Sequence, residues 1–159
     1  MKYIDLLEQV TRHEGWRNTV YKCPAGKLTI GVGHNLEDRP ISDTVVRMIL
    51  RDDLTQIQDM LRNHRYTTQE LGYVRFYTLV NMAFNIGFGG FLAFTKMRAA
   101  IGAKDYMEAA KEMYHSKWAT QVGQRAEELI YQMAFDKCID EKGEWREQLQ
   151  PLLEEWRTP

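Results

Sequence analysis

One segment limits the folds open to this chain more than any other: Glu14 to His34, reading EGWRNTVYKCPAGKLTIGVGH. Ile4, Leu7, Val10, Thr11 and Glu14 recur at helical spacing. Gly15 follows at once and is a natural helix stop, because glycine accepts the left-handed terminal conformation. This phase puts Glu14 on the face that points inward, where a carboxylate is costly unless it is paired or functional. Thr19-Val20-Tyr21 then reads as a strand and Pro24-Ala25-Gly26 as its turn. From Leu28 to Val32 the chain alternates, with Leu28, Ile30 and Val32 on one face and Thr29, Gly31 and Gly33 on the other. The second face is nearly bare, and glycine in a strand often marks close approach by a ligand or another backbone.

Everything after this hairpin reads as helix. Ser42 caps a segment whose stripe, Val46, Leu50, Leu54, Ile57 and Leu61, runs to about Arg62. A helix of about twenty residues is near 30 Å long, enough to bridge two lobes. Its polar side carries Arg51, Asp52, Asp53 and Asp59. Thr67 and Glu70 have capping-box spacing before a helix with Leu71, Val74, Thr78, Met82 and Phe84 to Ile86, which Gly87-Phe88-Gly89-Gly90 ends. Thr95 caps a short helix to Ile101, Asp105 to His115 is amphipathic, and the turn Gln121 to Gln124 leads into a helix with Arg125, Leu129, Ile130 and Met133. In the tail, Trp145, Leu149, Leu152, Leu153 and Trp156 follow Glu144, with Pro151 placed at the first turn of a last short helix. Composition and periodicity thus give a mostly helical α+β domain with a small hairpin near its start.

A chain of 159 residues needs neither metal nor disulfide to support a core. Its net charge of −1 offers no bulk electrostatic case for nucleic acid or an anionic membrane. Cys23 and Cys138 form neither a disulfide framework nor a metal-ligand spacing with the histidines, so no metal and no cofactor are expected. The first residues, MKYIDLLEQVTRHEG, carry acids within their apolar run and read as neither signal peptide nor membrane anchor. Residues 136–159 hold seven acids and four bases, which argues against a cationic membrane-disrupting helix there.

The segment resembles the active-site signature of the phage lysozymes, the endolysin muramidases of glycoside hydrolase family twenty-four. Their pattern is Glu, eight residues, Asp or Cys, five residues, Thr, then a glycine-flanked strand ending in His, and Glu14, Cys23, Thr29 and TIGVGH keep that spacing. Asn81-Met82-Ala83-Phe84-Asn85-Ile86-Gly87 resembles the family's central-helix motif, and Ser116-Lys117-Trp118 through Gln121 to Arg125-Ala126 its return to the cleft. The resemblance covers roughly residues 1–135. It implies a single lysozyme-like domain over 1–159, with a hairpin lobe at about 15–42, a linking helix at about 43–62 and a cleft between the lobes. The helical lobe would span about 67–138 with the N-terminal helix, and 139–159 would form a C-terminal helical tail.

By the same resemblance Glu14 is the general acid that protonates the leaving-group oxygen, a role suited to a carboxyl in a partly apolar setting. Thr29 helps hold water or substrate near the anomeric carbon, and Cys23 stands where many members have aspartate. Asn35 and Phe84 line the cleft and contact the glycan. Arg125 borders the acid, and His34 is structural, pairing with an aspartate of the long helix for which Asp53 is the choice, or Asp52 one register step away. The implied activity is hydrolysis of the β-1,4 bond between N-acetylmuramic acid and N-acetylglucosamine in peptidoglycan, with inversion. The expected protein is a monomeric endolysin made in the host bacterial cytoplasm and released to the wall through a holin. A thiol has a reference pKa near 8.5 and is mostly neutral at pH 7. Cys23 therefore keeps a single-acid lytic transglycosylase open as an alternative, beside a non-catalytic wall-binding protein. The extra loop and short helix of T-even phage lysozymes are missing, since only Asn35 to Ile41 separate His34 from Ser42.

Overall fold

The structure, a computed structural model, describes residues 5–157, so Ile4 of the expected helical stripe lies outside the described residues. Two compact units divide the chain, Met1–Leu50 and Arg51–Pro159.

The first unit holds α1 (Leu6–Glu14), β1 (Arg17–Lys22), β2 (Leu28–Gly31), β3 (His34–Asn35) and the start of α2 (Asp43–Asn63). Asp5 caps α1 by accepting from the backbone N–H groups of Leu7 and Glu8. Gly15, with φ 77°, ends the helix as expected, its N–H donating to the Thr11 carbonyl at 2.8 Å. The inward orientation read from the helix phase is not observed: α1 buries no residue, Leu7 is 81% exposed, and Glu14 is exposed too. Periodicity reports the phase of a stripe, not the presence of a partner, and a unit this small has little apolar surface for a core. Among its described residues only Thr29 is buried.

The sheet is antiparallel in the order β1-β2-β3. Lys22 pairs with Leu28 and Tyr21 with Thr29; Thr29 pairs in turn with Asn35, and Ile30 with His34. The sequence suggests one strand running on to His34. Instead the chain turns back through Gly31 (φ 66°) and Gly33 (φ 71°), which adds β3. Thr29, on the face expected to be bare, is the buried side chain, and Leu28 is exposed.

The second unit holds the rest of α2, α3 (Thr68–Leu71), α4 (Tyr73–Leu92), α5 (Thr95–Gly102), α6 (Tyr106–Tyr114), α7 (Lys117–Val122), α8 (Gln124–Phe135) and α9 (Glu144–Arg157). Thr67 caps α3 as expected, accepting from the Glu70 N–H, but the helix breaks at Gly72 and restarts as α4. Gly87 breaks α4 as expected: its backbone is non-helical, with φ 76° and ψ 154°, so the span is two helices joined across a kink. Thr95 is the first residue of α5 rather than its cap, which is Phe94.

Phe76, Leu79, Met82, Phe91, Met97, Met113, Ile130 and Met133 are fully buried side chains of one core. Arg75 ties α4 to the end of α8, donating to the carbonyls of Met133 (2.8 Å) and Ala134 (3.3 Å). The tail belongs to this core: Trp145, Leu149, Leu153 and Trp156 of α9 are all buried. Pro151 sits inside α9, not in its first turn. Its missing N–H leaves the Glu147 carbonyl without the usual helical donor, tolerable on an exposed face.

Candidate active site

Glu14 is delivered by the end of α1 to the β2–β3 turn. A Cβ built on Gly33 would lie 3.3 Å from Glu14 Oε2 and 3.7 Å from its Cδ, so the carboxyl rests on bare backbone. Among the described residues Glu14 makes no hydrogen bond or ion pair, which leaves the carboxyl free to engage a ligand. Arg39 steadies the same turn, its Nη2 donating to the Gly33 carbonyl at 3.3 Å. Gly33→Ala should therefore act twice. The methyl pushes the carboxyl away, and a side chain at φ 71° costs about 1–2 kcal/mol. Denaturant unfolding should register that modest cost, and any activity that depends on the Glu14 carboxyl should fall further than the stability change explains.

Cys23 opens the β1–β2 turn, its N–H donating to the Lys27 carbonyl at 3.0 Å and its own carbonyl accepting from the Gly26 N–H at 2.7 Å. The thiol is held below the usual cysteine range, chiefly by the Lys27 backbone N–H; partial desolvation opposes this, and the Ala25 N–H and Thr29 hydroxyl add to it. The Thr29 hydroxyl donates to the Lys27 carbonyl at 3.1 Å. Its single proton cannot serve that carbonyl and the Cys23 sulfur at once. The structure thus brings Cys23 and Thr29 together and stabilises the thiolate form relative to a free cysteine.

A polar clamp fixes this hairpin tip to the chain after β3. Lys27 pairs with Asp38, Glu37 accepts from the Leu28 N–H at 2.8 Å, and Asn35 Nδ2 donates to Asp38 at 2.9 Å. The Asn35 side-chain oxygen accepts from the N–H groups of Glu37 (2.9 Å) and Asp38 (3.1 Å), an Asx-type turn. The hydrogen bond between them holds the Asp38 carboxyl below, and the Lys27 ammonium above, its ordinary range. Asp38's contribution is whole above its unfolded value near 3.9 and is lost as pH falls through the lowered folded value. Lys27's is whole below its unfolded value near 10.4 and is lost as pH rises through the raised folded value. The clamp is therefore closed across the neutral range. In thermal unfolding between about pH 2 and pH 6, the wild-type melting temperature should fall more steeply toward acid than that of Asp38→Asn.

His34, in β3, has a buried Nε2 with no hydrogen-bond partner among the described residues. Asn35 is committed to the Asx turn and keeps one amide hydrogen for a ligand. The other expected residues lie in the second unit. Asp53 and Phe84 line one cavity of about 330 Å³ with Gln56, Ile57 and Met60, and the Phe84 ring is 42% exposed. Arg125 grips Asn81, its Nη2 2.6 Å and its Nε 3.0 Å from the side-chain oxygen. Trp118 Nε1 donates to Asn85 Oδ1 at 2.8 Å. The two motifs of this unit are thus tied to each other by both asparagines, to which the sequence reading gives no role. Lys27, Glu37 and Asp38 are missed as well; the signal for them was an asparagine followed closely by two acids, the composition of an Asx turn. Both cysteines are free, and among the described residues no cluster of three or more His, Cys, Asp or Glu could hold a metal.

A small three-stranded sheet with an acid from a helix end resting against its turn, in a chain otherwise helical, gives a lysozyme-like α+β protein. The phage lysozyme family model matches residues 11–133, and the chain belongs to that family. It is 29% identical over 114 residues to an endolysin of Acyrthosiphon pisum secondary endosymbiont phage 1, covering 69% of this chain and 74% of that protein. It is also 27% identical over 151 residues to the pre-baseplate central spike protein Gp5 of Enterobacteria phage T4, covering 77% of this chain but only 26% of the spike protein. Family and endolysin relative together support a lysozyme or endolysin role.

Proposed function

We propose that the chain hydrolyses the β-1,4 bond between N-acetylmuramic acid and N-acetylglucosamine in peptidoglycan. One observation carries the reading: the Glu14 carboxyl, at the end of α1, rests against the β2–β3 turn of the same small sheet whose strand β2 holds Thr29 beside Cys23. Glu14 gives its proton to the glycosidic oxygen as the bond to the muramic C1 breaks. A water held beside Thr29 and Cys23 attacks C1 from the opposite face; its hydroxide bonds to carbon and its proton passes to the thiolate. A proton then returns to Glu14 through solvent, and the anomeric configuration is inverted. By the resemblance Asn35 and Phe84 contact the glycan, with Asp53 and Arg125 in support; His34 Nε2 has no hydrogen-bond partner among the described residues.

The biological setting belongs to the same proposal. The chain spans about three quarters of the endolysin relative and about a quarter of the spike protein, and an endolysin releasing progeny from the host is the setting this reading adopts. Release through a holin is part of the same proposal; among the described residues no single helix is long and apolar enough to cross a membrane. The backbone N–H groups that stabilise the thiolate form of Cys23 support hydrolysis over transglycosylation, because an anion can orient an attacking water.

Activity of Cys23 variants on purified peptidoglycan tests the mechanism. Cys23→Asp should keep or raise the hydrolytic rate, and Cys23→Ser should lose about a hundredfold or more, the scale of general-base assistance. A serine variant as active as wild type would remove the thiol from the reaction.

A further inference from the structure

The helical unit holds a second cluster of charge that the proposed reaction does not use. A cavity of about 410 Å³ lies beside the ends of α2 and α5, with Arg65, Arg98, Lys104, Tyr66, Tyr106 and Glu70 among its lining residues. Arg98 is half-buried, with Nε donating to the Tyr66 hydroxyl at 3.0 Å and Nη1 to the Leu92 carbonyl at 2.9 Å. Both acceptors are neutral. Among the described residues its Nη2 has no partner and no carboxylate lies within 4.0 Å of it. A cation drawn partly out of water without a counter-ion is costly unless a ligand completes it.

The other two cations are placed at a conformational cost. Arg65 (φ 66°) and Lys104 (φ 60°) occupy the left-handed position just beyond α2 and α5, where glycine is the usual residue. Cations there offset the partial negative charge of the helix ends, about half a unit each. That accounts for the charge of Arg65 and Lys104 only in part, and not for Arg98, which lies within α5. Glu70, the one acid of the lining, is 3.7 Å from Lys104. The cavity therefore keeps about one positive charge in excess after the helix ends are counted.

We infer that this cavity is a binding site for an oxyanion, a phosphate or carboxylate group carried on a small ligand. Arg98 Nη2 supplies a fixed donor, and Arg65 and Lys104 close over the anion from the two helix ends. The inference is independent of the reaction proposed for Glu14, so either can fail alone.

Thermal unfolding in inorganic phosphate and in acetate, against chloride at matched ionic strength, tests it. At near-saturating anion the wild type should gain a few degrees, and the more effective anion identifies the preferred group. Phosphate also stabilises proteins non-specifically by exclusion, so the comparison with variants decides. Arg65→Gly with Lys104→Gly should unfold no earlier than wild type in chloride, since both left-handed positions are relieved, yet lose at least half of the anion-dependent gain. Arg98→Gln should lose nearly all of it. No anion-specific gain in the wild type, or an equal gain in the double glycine variant, would overturn the proposal; the double variant decides even if Arg98→Gln fails to fold.

Discussion

Glu14→Gln should lower the rate of lysis by about 10²–10⁴-fold and leave thermal unfolding where it was. The amide has nearly the shape of the carboxyl, so its contact with Gly33 survives. Glu14 is exposed and makes no hydrogen bond or ion pair among the described residues, so nothing structural is lost with the charge. What disappears is the proton that the leaving oxygen requires. Turbidity loss of chloroform-treated Gram-negative cells reports the rate, and circular dichroism melting reports the fold. A variant that melts normally and still lyses cells would remove Glu14 from the reaction.

The second large effect is on stability. Trp145→Ala should cost about 3–5 kcal/mol, the usual range for deleting a buried large aromatic side chain. Trp145 is 2% exposed, and its ring lies 5.8 Å from that of Tyr131 at the head of α9. Asp140 caps that helix, accepting from the N–H groups of Glu144 and Trp145 at 3.0 Å each. Domains of this kind have about 5–15 kcal/mol in total, so the melting temperature should fall by roughly 6–20 °C. Activity per folded molecule, measured where both proteins are folded, should not change. A drop in substrate affinity without loss of stability would instead make the tail a glycan-binding element.

What the sequence made legible follows from how local each signal is. The glycine stop after Glu14 and the Thr67 cap are written in neighbouring residues, and each has a direct counterpart in the structure. The turn at Gly31 and Gly33 was hidden because alternation continues through it and both residues lack a side chain to betray the reversal. The clamp of Lys27, Glu37 and Asp38 was hidden because it pairs residues across a loop whose closure depends on β3. Helix phase misjudged Glu14's burial for the same kind of reason: a stripe on α1 says which side chains share a face, not what covers them. Pro151 was displaced toward a helix start by its strong preference there, which the packing of Leu149 and Leu153 overrides.

The central claim is that Glu14 and the Cys23–Thr29 pair direct a water onto the muramic C1. Digestion of purified peptidoglycan in oxygen-18 water, followed by mass spectrometry of the muropeptides, tests it most directly. The account predicts reducing N-acetylmuramic acid ends that carry one heavy oxygen at C1. Unlabelled 1,6-anhydro ends would contradict it and assign the fold to transglycosylation.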